Sequence, residues 1–357
     1  MRSHRGKKAL VLALALLAAL FITLLTACDH SDEKEVRVYC YGDYMDPAVI
    51  DGFEKETGIK VILDTYDTVE EMYPVIKNRA GVYDVLCPSD YMVERMIAED
   101  LLAPLHKANL PHLKNIGKRY LTMASQSYDP GNRYAVPYQW GTMGIMYNSK
   151  ALAGREPSSW NDLWDPSYSG SILMQDSMRD TMGASLKAQG LSINSTRKKD
   201  LNAAAEYLIR QKPLVYKYAN DSARDLLIGN SANLGVVWNG EVLYSQELNR
   251  DLDFVIPKEG TEVFIDNWVI PAGAFHPENA EKFIDYMCRG DVAYTNYEYL
   301  TYSTPNEAAR AMLPKSLQNS PVLFPSDELL ARSEVLRDLG PEGNDLVTKY
   351  WKKFKAE

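Results

Sequence analysis

Short apolar runs that stop on an aromatic residue recur along this chain, each followed by a turn or capping residue and then by helical periodicity. Leu234-Gly235-Val236-Val237-Trp238, followed by Asn239-Gly240, predicts a buried strand that turns into a helix near Glu241. The first hundred residues alternate the same way. Strands are predicted at Val36–Tyr39, Lys60–Asp64 and Val82–Cys87. Between them lie a helix opened by Asp46-Pro47 and closed at Gly58, and a second opened by the Thr68-x-x-Glu71 capping box. A third helix follows at Met92–Glu99.

Residues 102–133 are rich in turn signals, and strands follow at Tyr134–Tyr138 and Met143–Tyr147. The intervening Gln139-Trp140-Gly141-Thr142 reads as a crossing between domains. A second alternating set begins at Ser171–Met174 and includes helices Thr181–Ala188, Lys199–Arg210 and Ser222–Ile228. Further strands are expected at Leu214–Tyr218, Asp253–Ile256 and Asn267–Ile270, then helices Asn279–Cys288 and Val292–Leu300. Repeated strand–helix alternation predicts an α/β protein with parallel sheets covered on both faces. Two such lobes with several crossings enclose a cleft that can hinge shut. The crossings are placed near Trp140, Ile265 and Thr304. They divide the chain into one lobe of residues 36–139 plus 265–304 and another of residues 140–264 plus 305–357.

The first 27 residues stand apart from this pattern. Arg2, Arg5, Lys7 and Lys8 precede an apolar run from Ala9 to Leu25, shorter than the ~20 residues a membrane span needs. Leu25-Thr26-Ala27-Cys28 then resembles the lipobox of bacterial lipoproteins. This implies a cleaved leader, a lipid on Cys28, a polar tether over residues 28–35 and a place outside the cytoplasm on a membrane surface. The net charge of the whole chain is −9, and the leader holds four basic residues and no acid, so the exported part is more acidic still. That argues against nucleic acid as a partner. Cys40, Cys87 and Cys288 lack paired spacing; Cys40 with Cys87 is the one plausible disulfide, against three buried thiols. The five histidines sit in the leader, the tether and loops, without zinc-ligand spacing, and no cofactor is expected.

Candidate chemistry gathers at the strand ends. Trp238 closes one; Phe264-Ile265-Asp266-Asn267-Trp268 sets a carboxylate between aromatics; Tyr39-Cys40-Tyr41-Gly42-Asp43-Tyr44 sets another. Ligands of open α/β sheets bind outside the carboxyl ends of strands. An aromatic face with a counter-charge is what an amine cation requires.

The chain resembles the bacterial extracytoplasmic spermidine/putrescine-binding proteins that serve ABC importers. The likeness rests on Phe53-Glu54-Lys55-Glu56-Thr57-Gly58-Ile59-Lys60-Val61, Pro88-Ser89-Asp90-Tyr91, Val136-Pro137-Tyr138-Gln139-Trp140-Gly141, Trp238-Asn239-Gly240, Pro257-Lys258-Glu259-Gly260 and Thr304-Pro305-Asn306. It implies a two-lobed, type II-like periplasmic-binding-protein fold, no enzymatic activity, permease subunits as partners and a monomeric carrier. Carried over residue by residue, it implies that Asp43 meets an amine end and that Tyr44 and Tyr91 line the slot. Ser89 would supply a polar contact, Trp238 would stack on methylenes, Asp266 would bind an ammonium and Tyr302 would complete the wall. Asn220 falls at a small polar position. The chain departs from the pattern where Phe264 replaces a Trp, and where Ser177 and Asp180 stand for two acids. One missing carboxylate brings putrescine level with spermidine as the expected ligand. Another small cation, a metal chelate or an anion near Arg179 would use the same cleft. Carboxylates across a groove also leave room for an exported glycoside hydrolase, although G-x-S-x-G, H-E-x-x-H and P-loop motifs are lacking.

Overall fold

The computed structural model describes residues 34–79, 81–220 and 222–357; the leader and Cys28 lie outside them. Eleven strands form one continuous, curled sheet. In chain order they are β1 (Glu35–Tyr41), β2 (Lys60–Tyr66), β3 (Val85–Leu86), β4 (Leu102–Ala103), β5 (Ala135–Asn148) and β6 (Ile172–Met174). Then come β7 (Val215–Tyr218), β8 (Leu234–Trp238), β9 (Leu252–Val255), β10 (Glu262–Pro271) and β11 (Glu334–Val335).

The main path runs β2-β1-β3-β10-β5-β8-β6-β7. Parallel ladders occupy both ends: β1 pairs with β2 and β3, and β6 with β7 and β8. Each end grows from strand–helix–strand units, whose crossovers force parallel pairing. The middle is antiparallel, because β5 and β10 pass between the halves and pair with each other from Val263↔Thr142 to Val269↔Ala135.

Apolar side chains separate into clusters accordingly. The largest surrounds β1–β3 with Phe53, Met72, Met96 and Phe283. In the other half Ile145, Trp160, Ile172 and Val236 pack together, with Leu173, Leu227 and Val237 on the opposite face of the sheet. The helix Gly340–Ala356 adds Val347 and Phe354 to Leu201 and Leu208 of helix Lys198–Gln211.

Two expectations change. The expected strands at 134–138 and 143–147 are one fourteen-residue strand, buried throughout, with Trp140 inside it. The three expected crossings are neighbours in space: Trp140 pairs with Ile265 on one side and bridges to Ser303 on the other. Of residues 305–357, Leu313, Leu323 and Phe324 pack into the β1–β3 core and Asn306 bridges to Ile116. Arg332, Glu334 and Val335 contact Lys187 and Asn194, and the final helix packs against the helix Lys198–Gln211. Cys40, Cys87 and Cys288 are buried free thiols.

Candidate functional site

The register of β10 slips between Asp266 and Asn267. A β-bulge re-aims the side chains beside it, and this one is held from several directions. The Asn267 backbone N–H donates to Pro88 O at 2.9 Å, and its side-chain Oδ1 accepts from Tyr128 Oη at 2.8 Å. Asp90, 1 % exposed, accepts from the backbone N–H groups of Tyr91 and Ile265 at 2.7 and 3.0 Å, tying the helix Asp90–Ala98 to β10. It is the first residue of that helix, after the N-cap Ser89, and so is not the cap.

Asp266 emerges from this bulge with 5 % exposure. Its Oδ2 accepts from Tyr44 Oη at 2.5 Å and its Oδ1 from Ser89 Oγ at 2.7 Å. Tyr41 shares a hydrogen bond with Ser89 at 2.8 Å and so supports the carboxylate from behind. Burial pushes the Asp266 carboxyl up to about 6, while the two hydroxyls pull it back down. Among the described residues no cation pairs with it. A buried carboxylate held by two neutral donors is short of one positive charge.

Aromatic faces border it. Trp238 meets Phe264 edge to face with centroids 5.0 Å apart; Phe264 meets Tyr302 at 6.0 Å, and Tyr302 meets Tyr44 at 6.2 Å. The Trp-Asn-Gly turn explains how Trp238 and Tyr302 are set. Asn239 is fully buried; its Oδ1 accepts from Thr142 N–H at 3.1 Å, and its amide donates to Val322 O at 2.9 Å and Ser303 Oγ at 3.2 Å. It therefore pins the end of β8 to β5 and to the segment carrying Tyr302. A Cβ on Gly240 would stand 2.6 Å from the Tyr302 ring, so glycine is required there.

A cavity of about 370 Å³ opens beside Trp238 and Tyr302 and is lined from both lobes, by Thr68 on one side and Ser177, Asp180 and Asn220 on the other. Asp180 lies in the first turn of the helix Met178–Ala188. Its carboxyl is pushed above the usual range by burial and by Glu70, against the pull of the Ser177 hydroxyl and Arg179. Asn220 is exposed and accepts from Asp176 N–H at 2.9 Å. Tyr91 donates to Glu70 at 2.8 Å, with the Arg179 guanidinium 5.9 Å from its ring. Asp43 differs from the rest: it is exposed, at φ +50°, in the turn after β1, and hydrogen-bonds to none of these groups. A second hollow, of about 510 Å³, is lined by Lys118 and Arg119, and its one lining carboxylate, Asp327, is already paired with Arg119.

The geometry is a strip of carboxylates and rings, fit for an elongated ligand with cationic ends and an apolar middle. Comparison with known proteins agrees with a ligand-capturing role. Residues 48–325 match the family model described as bacterial extracellular solute-binding protein. The spermidine/putrescine-binding periplasmic protein of Salmonella typhimurium is 35 % identical over 343 residues, covering 96 % of this chain and 97 % of that one. The putrescine/agmatine-binding protein of Pseudomonas aeruginosa is 30 % identical over 367 residues, with 98 % and 99 % covered. Among solved structures, a putative spermidine/putrescine ABC transporter protein from Listeria monocytogenes superposes with a TM-score of 0.83 at 37 % identity, covering 90 % of this chain and 99 % of that one. These relatives are solute carriers, not enzymes, and the Listeria protein shares the two-lobed architecture. The chain belongs to the bacterial extracellular solute-binding proteins.

Proposed function

We propose that this chain captures a linear polyamine between its lobes and delivers it to the permease of an ABC importer. The observation that carries the reading is the buried Asp266, held by Tyr44 and Ser89 without a cation and bordered by Trp238, Phe264 and Tyr302. An ammonium at Asp266 gains a charge-assisted hydrogen bond in a site from which water is largely excluded. The methylenes beyond it lie against aromatic faces, which also attract cationic nitrogens by about 0.5–2 kcal/mol each. The polyamine ligands named for the relatives support the same chemistry. Lobe closure about the Trp140–Ile265–Ser303 row would seal the slot and present one shape to a transporter; only the ligand's differential affinity for the closed form drives it.

Titration calorimetry of the purified, ligand-stripped protein with putrescine, cadaverine, spermidine and spermine tests the reading. Micromolar or tighter binding of at least one is expected, and no heat from any of the four on folded protein would refute it.

The reading includes an anchor. Cys28 is acylated after removal of residues 1–27, and the protein works as a monomer on the outer side of a membrane. No helix among the described residues is long and apolar enough to cross one. Stable attachment takes more than one acyl chain. Cys28→Ser is expected to move the protein from the membrane fraction to the soluble fraction of cells; persistence in the membrane fraction would argue for an uncleaved leader instead.

A further inference from the structure

Glu94 and Arg337 meet from opposite lobes. Glu94 lies one turn into the helix Asp90–Ala98, whose Met92, Val93 and Met96 pack into the β1–β3 core. Arg337 follows β11 and is fastened to the β6–β8 half. Its backbone N–H donates to Asn194 Oδ1 at 2.9 Å, and the Asn194 amide donates to Val335 O at 2.9 Å. Lys187, on the helix Met178–Ala188, donates to Arg332 O at 2.9 Å, and Leu339 packs against Leu186 and Leu201.

Between the two halves the Glu94 carboxylate accepts three hydrogen bonds. Oε2 accepts from Arg337 Nε and from the Asp338 backbone N–H, each at 2.9 Å, and Oε1 accepts from Arg337 Nη2. A two-pronged guanidinium–carboxylate contact fixes orientation as well as proximity. The bridge is also continuous with the ligand site. The Arg179 guanidinium donates to Arg337 O at 3.3 Å, and Arg179 precedes Asp180, which lines the cavity. At the other end, the N-cap of the helix that carries Glu94 is Ser89, which donates to Asp266.

We infer that Glu94 and Arg337 are positioning residues for capture: they bridge the lobes without touching the ligand, hold part of the empty protein shut and so preorganise the cleft. All three donors to Glu94 belong to the protein, so the bridge can form before a ligand enters. It does not run along β5, β10 or the segment around Ser303, which cross between the halves and turn with them. Rotation of one lobe against the other therefore stretches it. A contact made only in the shut form shifts the balance by its own strength, and apparent affinity scales with the fraction that stands ready to bind. The affinity consequence rests on the polyamine reading; the bridging does not.

The experiment compares the purified wild type with Glu94→Gln, Arg337→Gln and the double variant by small-angle scattering and by calorimetry with spermidine and putrescine, with melting temperatures alongside. The Arg337 side chain is 43 % exposed and that of Glu94 23 %, so solvent screens part of the pair. Each single variant is expected to bind about threefold to tenfold more weakly, between a surface pair and a buried charge-assisted contact. The double variant should lose no more than either single one, because one contact is being removed. Without ligand, the variants should show a larger radius of gyration than wild type, and with saturating ligand all four should converge. An unchanged radius in the ligand-free variants overturns the bridge. So do additive losses of affinity together with lowered melting temperatures, which would make both residues local structural supports. If wild type binds no polyamine, the polyamine reading fails and scattering alone decides the bridge.

Discussion

Asp266→Asn is expected to leave a folded protein that has lost polyamine capture. Tyr44 and Ser89 keep a polar partner of the same shape, since the amide oxygen still accepts from one of them. The charge that an ammonium seeks is gone. Removing one partner of a buried, hydrogen-bonded charge pair costs about 2–5 kcal/mol, and tenfold in affinity corresponds to about 1.4 kcal/mol. Calorimetry should therefore record a loss between about thirtyfold and several thousandfold. Stability should move the other way. A carboxyl raised to about 6 by burial is strained as an anion at neutral pH. Against an unfolded value near 3.9, that penalty is about 2–3 kcal/mol. The ligand-free variant should melt at or above the wild-type temperature, as expected where a site is kept for function at the expense of stability. Unchanged affinity would remove Asp266 from the site. A lower melting temperature together with lost binding would make it a structural residue.

The parts of this molecule legible in its sequence are those with local causes. The helix Pro47–Thr57 starts where Asp46 accepts from Ala48 N–H and stops at Gly58, as its end signals predict. Thr68 accepts from Glu71 N–H, half of the expected capping box, while the Glu71 carboxylate accepts from Asp67 N–H instead of Thr68 N–H. Trp238, Phe264 and Asp266 could be picked out as aromatics and a carboxylate at expected strand ends, whereas Tyr302 followed only from the family resemblance. Long-range causes stayed hidden. Gly141 looked like a break, yet β5 runs straight through it. A Cβ there would meet Asn239 Oδ1 at 2.2 Å and the Phe264 ring at 2.5 Å, so the glycine marks a close approach from neighbouring elements. Likewise, Leu323 and Phe324 return to the first lobe because of a core assembled some two hundred residues earlier.

Acid should weaken ligand capture and, over the same range, favour the empty fold. Among the described residues, uncharged groups and an acid face Asp266. Burial raises the neighbouring hydroxyls of Tyr41, Tyr44, Tyr66 and Tyr138 and the Cys87 thiol, so they stay neutral across the accessible range, and Asp90 is itself raised by burial. The ligand's amines, with pKa values near that of lysine at about 10, remain charged. The titration therefore belongs to the protein. Below about 6 the empty site holds a proton on Asp266 that an incoming ammonium must expel. Affinity should fall about tenfold per pH unit per such group, so a change from pH 7 to 5 costs about tenfold through Asp266. Asp180, also raised to about 6, carries the total toward about a hundredfold if it too meets the ligand. Stability has the opposite sign. Between the unfolded value near 4 and the folded value near 6 the native state binds more protons than the unfolded chain, so these acids make the empty protein more stable as the pH falls through 6. Glu99, lowered to about 2 by Lys77 and Tyr73, acts in reverse and withdraws stability only below about 4. Melting curves at pH 5 and 7.5, with and without saturating ligand, separate the two effects. The ligand-induced rise in melting temperature should be large at pH 7.5 and small at pH 5, whereas an equal rise at both would mean that no buried carboxylate titrates on binding.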